Sequence, residues 1–167
     1  MGISSHIRDP LDVNPLDIVE QVAFARDWAF DRRSDEEMAI QAPGNWCDYS
    51  LYFAWNTEAV IVQFTCAFDV RVPPAKQARV HELLALVNEN MSLGHFSLWS
   101  DEGLPMFRHA LPLRGAGRPT VEQMDDIVET AITDCDRYYP AFQYVIWGER
   151  TAAEAVAVAM VNTIGEA

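Results

Sequence analysis

The chain has 167 residues, half of them hydrophobic, with a formal net charge of −13 and a pI near 4.5. This length and apolar content suit a single domain with a substantial core and argue against disorder. The acidic charge makes nucleic acid and anionic membrane surfaces poor partners, because both attract basic proteins.

The first predicted element follows an N-terminal tail over residues 1–13. Asn14-Pro15 is typical of a helix N-cap followed by the first residue inside the helix. Apolar side chains recur at helical spacing from there as far as Trp28. We therefore predict a first helix from about Pro15 to Trp28.

Three strands are predicted next, because apolar and polar side chains alternate along three consecutive segments. The segments are residues 38–42, 46–55 and 59–68. Turn-forming residues separate them, at Pro43-Gly44-Asn45 and at Asn56-Thr57-Glu58. The short connections predict an antiparallel meander with one face buried.

A second helix is predicted after Pro73-Pro74, and Gly94 is expected to lie directly beyond its last turn. Its apolar stripe consists of Val80, Leu83, Leu84, Val87 and Met91. Two further strands are predicted at residues 96–99 and 106–113. Residues 100–103 form the turn that joins these two strands.

Two helices close the chain. Thr120-Val121-Glu122-Gln123 is a capping box that opens the third helix, and Pro140 is expected to kink or end it. Thr151 opens a fourth helix that runs to about Ile164. The predicted fold is α+β: a five-stranded, twisted antiparallel sheet with helices packed on it, in the order α-βββ-α-ββ-α-α.

Several stretches of the chain resemble the YbjN family. They are Leu83-Leu84-Ala85-Leu86-Val87-Asn88, His95-Phe96-Ser97-Leu98, Ser100-Asp101-Glu102-Gly103, Tyr139-Pro140-Ala141-Phe142 and Ile146-Trp147-Gly148. The resemblance covers roughly residues 14 to 164. It implies a fold like that of type III secretion chaperones, a dimeric state and a role in sensory transduction, and it brings no catalytic residues. We assign residues 14–150 to a YbjN-like domain and residues 151–167 to a C-terminal helix packed on the same domain.

Residues that could carry chemistry show no recognisable arrangement. The four histidines lack the ligand spacing of a zinc site, and His109 is in phase with apolar neighbours, as expected of a core histidine. Gly115 and Gly117 lack the sequence context of a phosphate-binding loop. The acidic residues of the third helix are expected to form a solvated face. We predict no catalytic residue, no cofactor and no metal.

The cellular location is predicted from the cysteines and the N-terminus. Cys47, Cys66 and Cys135 are too few and too scattered for a disulfide framework, and as buried thiols they suit a reducing compartment. The N-terminus lacks the apolar region of a secretory signal. No apolar run approaches the about 20 residues of a membrane span. We therefore expect a cytoplasmic protein with no membrane partner.

Apolar residues also occur on the strand faces opposite the predicted core. Either helices cover them, or they form an exposed aromatic surface that binds another protein. The second helix has further apolar positions outside its stripe, which predict a symmetric contact between two copies. The predicted contact residues are Trp46, Tyr52, Ile61, Ala75, Ala78, Leu86, Trp99 and Met106.

These patterns predict a non-enzymatic protein-binding module. We expect a homodimeric, chaperone-like adaptor or regulator of bacterial signalling or stress response, which also binds a protein partner that the sequence does not identify. The alternative is an enzyme or a small-molecule-binding protein. In that alternative, the pocket would lie between the sheet and the third helix.

Overall fold

The computed structural model describes residues 14–164, with the side chains of residues 162–164 excepted, so the predicted tail over residues 1–13 lies outside the described part. The helices and strands follow one another along the chain. They are α1 (Pro15–Ala25), β1 (Phe30–Arg32), β2 (Glu37–Pro43), β3 (Asp48–Asn56), β4 (Ile61–Ala67), a short 3-10 helix (Pro74–Lys76), α2 (Gln77–Asn88), β5 (His95–Trp99), β6 (Leu104–Pro112), α3 (Val121–Ile146) and α4 (Ala152–Ile164).

The strands form one antiparallel sheet in the order β1-β2-β3-β4-β6-β5. The prediction of an α+β fold with an antiparallel sheet is confirmed, but the predicted number of five strands was wrong. The additional strand is β1, which pairs with β2 so that Phe30 lies opposite Ile40. Its three residues include an aspartate and an arginine, so it shows no apolar alternation, and an edge strand of this kind needs none.

The helices and the core lie on one side of the sheet. α1 packs on β2 and β3, α3 packs on β4 and β6, and α2 and α4 complete the layer beside β5. The alternate side chains of each strand that point towards this layer are buried, for example Tyr49, Leu51 and Phe53 on β3. We call this side the helix face and the other side the open face. In the described part of the chain, the open face is left without a covering helix.

α1 ends three residues earlier than predicted. Asp27 adopts a positive φ of 56°, and its N–H donates to the carbonyl oxygen of Phe24. The N–H of Trp28 donates to the carbonyl oxygen of Ala23. This pair of bonds is a Schellman motif, in which a left-handed residue ends the helix. Asparagine and glycine are the usual residues there, so an aspartate gave no clear signal.

The prediction for Gly94 was wrong, and one of the two outcomes predicted for Pro140 is excluded. α2 ends at Asn88, and Gly94 lies just before β5, so it is not the residue that follows the helix. Pro140 lies inside α3 and does not end it, because buried side chains such as Cys135 and Phe142 anchor the helix on both sides of the proline. The capping box at Thr120 is confirmed.

Candidate functional site

A groove of about 670 Å³ lies on the open face, over β3, β4, β6 and β5. Its lining combines hydroxyl groups, two aromatic side chains, a methionine and one arginine. The lining residues are Ser50, Tyr52, Thr65, Ala67, Ser97, Leu98, Trp99, Ser100, Asp101, Leu104, Met106 and Arg108. A volume of this size is in the range of ligand pockets.

The register of the sheet places the groove residues. On β6, Met106 lies opposite Ala67 of β4 on one side and Ser97 of β5 on the other. Two residues further along β6, Arg108 lies between Thr65 and His95. Because strand side chains alternate between the two faces, these residues all project from the open face.

One end of the groove is apolar. Met106 is only 8% exposed and forms its floor, whereas Trp99 is 54% exposed at its mouth. Tyr52 of β3 lies further along the groove, in the cross-strand row of Thr65 and Arg108, and the guanidinium of Arg33 is 5.9 Å from its ring centroid. Burial, together with a hydrogen bond to Glu37, raises the pKa of Tyr52, so its hydroxyl stays protonated. The end of the groove formed by Met106 and Trp99 offers aromatic and thioether surface to an apolar group.

The edge of the sheet next to the groove is closed. Asn88 of α2 donates from Nδ2 to the carbonyl oxygen of Phe96 and accepts from the N–H of Phe96. Gln77, also on α2, donates to the carbonyl oxygen of Ser100. These side chains occupy main-chain groups that a further strand would need. These contacts disfavour the addition of a further strand along this edge.

Three of the predicted contact residues meet in the groove: Tyr52, Trp99 and Met106. Ile61 is also on the open face, but it lies opposite Pro112, at the far end of β4 from Ala67. Three of the predicted residues therefore lie together on the open face, and their role as a contact surface stays a prediction.

The predicted position of Trp46 on the open face was wrong. Trp46 lies in the turn between β2 and β3, where its ring stacks on Tyr139 of α3 with centroids 6.3 Å apart. Its Nε1 donates to the carbonyl oxygen of Asp136. The alternation was extended two residues too far back, because β3 begins at Asp48.

The predicted α2 positions do not form a continuous apolar surface. Leu86 is half-buried and packs against the core. Ala75 and Ala78 are exposed, but Ala75 belongs to the short 3-10 helix and not to α2. They are small side chains with little area to bury in a contact.

Among the described residues, aromatic side chains fill the part of the sheet–α3 interface where the alternative prediction would put a pocket. Aromatic rings of the sheet and of α3 meet there, with Phe96 against Tyr138 and Phe142 at centroid distances of 5.8 Å. Phe68 lies edge-on to Phe142 at 5.1 Å. All these rings are buried in the core.

The thiols lie on the helix face and are poorly suited to nucleophilic chemistry. The Sγ atoms of Cys66 and Cys135 are 3.7 Å apart, and both residues are buried. Burial and contact with Cys66 hold the pKa of Cys135 well above its ordinary value. Burial likewise raises the pKa of the half-buried Cys47 thiol to about 11. A nucleophilic cysteine needs the opposite shift.

Within residues 14–164, no group of three potential metal ligands comes together.

Sequence reasoning missed the polar part of the groove, above all Arg108. The signal was available, because Phe107 was predicted to point to the core, which places Met106 and Arg108 together on the other face. The same alternation along β3 and β4 places Ser50 and Thr65 on the open face. Ser97 follows from the same alternation on β5, since it lies two residues before Trp99.

The fold and the groove together define an α+β protein with an open, aromatic-bearing sheet face. The family model described as "Putative bacterial sensory transduction regulator", named YbjN, matches residues 15–144, and the chain belongs to this family.

A solved structure described as "Crystal structure of YbjN, a putative transcription regulator from E. coli" is 14% identical. The similarity covers 76% of this chain and 96% of that chain, with a TM-score of 0.47. No curated protein matches the chain.

Among the described residues, no helix is both long enough and apolar enough to cross a membrane.

Proposed function

We propose that this protein is a non-enzymatic regulator that acts by binding a segment of another protein in the groove of its open face. The observation that carries the proposal is the exposed Trp99 beside the buried floor residue Met106. Aromatic side chains and methionine are enriched at protein interfaces, because they bury large areas on contact. The family description, which names a regulator, agrees with this role.

The position of the perturbed titratable groups supports a binding role over a catalytic one. The groups whose pKa values are shifted most, Tyr49 and Cys135, are in contact with α3 or within it, on the helix face. Tyr49 donates to Asp136 at 2.7 Å and holds the start of β3 against α3. These groups have structural partners and do not face the groove.

A matched pair of tryptophan variants tests the proposal. Trp99 and Trp147 are similarly exposed, at 54% and 61%, but Trp147 follows α3 and lies outside the groove lining. We expect Trp99→Ala to abolish capture of a protein partner by the immobilised chain, while Trp147→Ala leaves it unchanged. Thr65→Arg, which fills the groove, should act as Trp99→Ala does. Equal capture by all three variants would refute the proposed surface.

We propose further that the protein is a homodimer and that it works as a chaperone-like adaptor. Helices on a single face of an antiparallel sheet support the comparison with secretion chaperones. Ala75 and Ala78 are exposed and remain part of the proposed dimer contact, but their small side chains alone bury little area, so neighbouring residues must contribute most of it. A molar mass of about twice 18.8 kDa by light scattering is expected. Ala78→Glu should then give the monomer mass, and a wild-type monomer at micromolar concentration would refute the dimer.

A small-molecule ligand in the same groove is the second candidate, because the groove volume is in the range of ligand pockets. A ligand that binds only the folded state raises the melting temperature. A metabolite that raises the melting temperature of the wild type, but not of Thr65→Arg, would favour this function over protein binding.

A further inference from the structure

The positive charge of Arg108 is left uncompensated on the open face. Its cross-strand neighbours are Thr65 and His95, and its neighbours along β6 on the same face are Met106 and Ala110. None of these side chains is acidic. Within residues 14–164, Arg108 takes part in no ion pair, whereas Arg26 and Arg32 each bridge two carboxylates. An exposed, unpaired guanidinium in a chain of net charge −13 is a ready partner for an anionic group.

Asp101 is the acidic residue in the groove lining, and it lies at the opposite end from Arg108. It belongs to the turn between β5 and β6, beyond the pair formed by Trp99 and Leu104. Arg108 is four residues from Leu104 along the strand, about 13 Å away. Exposed charges are largely screened beyond about 8 Å at physiological salt, so Asp101 does not neutralise Arg108.

The anion-binding and apolar parts of the groove have a defined spacing. Arg108 follows Met106 by two residues on the same face of β6, which separates the two side chains by about 7 Å. In an extended peptide, side chains two residues apart point to the same side with the same separation. The groove therefore matches the repeat of an extended peptide laid on the face.

We propose, resting on the proposed function, that the groove binds an extended acidic peptide segment of the partner. The segment carries an apolar residue that contacts Met106 and Trp99. Two positions away it carries an aspartate or glutamate whose carboxylate accepts hydrogen bonds from Arg108. The hydroxyls of Ser50, Thr65 and Ser97 hydrogen-bond to the polar main chain of the segment. The segment lies on the sheet and does not extend it, because α2 side chains close the β5 edge.

Fluorescence anisotropy with two labelled seven-residue peptides tests this proposal on the full chain. Both peptides alternate threonine with other residues and have isoleucine at positions two and six. One has glutamate at the centre and the other has glutamine. A charge-assisted hydrogen bond predicts about tenfold tighter binding of the glutamate peptide. Arg108→Gln should remove the difference in affinity between the two peptides, and Trp99→Ala should weaken the binding of both.

Arg79→Gln is the matched control, because Arg79 is exposed on α2 and outside the groove lining. Arg79→Gln should leave the affinity for each of the two peptides unchanged. Equal binding of the two peptides would overturn the acidic preference, as would a difference that persists in Arg108→Gln. Complete competition by the small carboxylate 3-phenylpropionate at equal concentration would overturn the peptide assignment. If a captured partner depends on Trp99 but neither peptide binds, this inference fails while the proposed function stands.

Discussion

The indole Nε1 of Trp46 donates a 2.9 Å hydrogen bond to the carbonyl oxygen of Asp136, which is the carbonyl that Pro140 leaves without its helical donor. In an uninterrupted helix, the N–H four residues later would make this bond, and a proline has none. Trp46 also stacks on Tyr139, with ring planes 6° apart. The turn between β2 and β3 thereby supports α3 at the residue where the helix is weakest.

We expect Trp46→Phe to destabilise the protein by about 1–2 kcal/mol, because it removes the donor and keeps an aromatic ring. In the background of Pro140→Ala, which restores the helical N–H, the same substitution should cost less. Urea denaturation of the two single variants and the double variant measures this coupling. An identical cost of Trp46→Phe in both backgrounds would show that the indole does not replace the missing helical bond.

The second prediction concerns the edge of the sheet at β5. Asn88→Ala leaves the N–H and the carbonyl of Phe96 without their side-chain partners, which should cost about 1–3 kcal/mol. It also exposes main-chain groups that another chain can pair with. We therefore expect a lower denaturation midpoint and more self-association in light scattering.

Asn90→Ala is the control for this edge prediction. Asn90 is exposed, and its side chain makes one longer bond, of 3.3 Å, to the carbonyl oxygen of Leu86. Asn90→Ala should therefore change the denaturation midpoint and the self-association much less than Asn88→Ala does. If Asn88→Ala had effects as small as those of Asn90→Ala, the contacts from α2 would not be responsible for protecting the β5 edge.

The third prediction compares two glycines with similar backbone angles. Gly103 has a φ of +65°, and a Cβ there would lie 2.5 Å from the carbonyl oxygen of Val72. Gly115 has a φ of +82° and open space around it. Both alanine variants incur the cost of a left-handed residue, about 1–2 kcal/mol. Gly103→Ala must also push the Val72 main chain away, so its loss in unfolding free energy should be clearly the larger of the two.

Local sequence pattern accounts for much of this fold. Strict alternation placed β2, β3 and β4 with the correct residues facing the core, and the capping box placed the start of α3 at Val121. β1 was missed because its pairing with β2, and not an apolar pattern, defines it. Whether Pro140 ends the helix could not be decided from local pattern, because the donor that replaces its missing N–H comes from Trp46, 94 positions earlier in the chain.

The groove could be predicted only in part. Parity along each strand correctly put Tyr52, Trp99 and Met106 on one face. Their meeting depends on β6 inserting between β4 and β5, a pairing between distant segments that local patterns do not specify. For the same reason, the isolation of Arg108 from acidic neighbours could not be seen before the register was known.

The last prediction concerns the pH dependence of stability and the half-buried His109 on β6. Burial lowers the pKa of His109, and the electrostatic interaction with His95 lowers it further. A histidine with a lower pKa in the folded state binds fewer protons when folded, so protonation favours unfolding. The stability from neutral His109 is complete above the unfolded pKa of about 6.5 and is lost as the pH falls from there through the folded pKa.

His109→Gln should therefore flatten the rise in unfolding free energy as the pH increases towards about 6.5, because glutamine does not titrate. Urea denaturation at closely spaced pH values measures this slope. His81→Gln is the control, since His81 is exposed on α2 and should leave the slope as in the wild type. The two variants share all their carboxylates, whose contribution to the slope therefore cancels in the comparison. Indistinguishable slopes for the two variants would mean that water reaches His109 in the folded protein and that its pKa is not depressed.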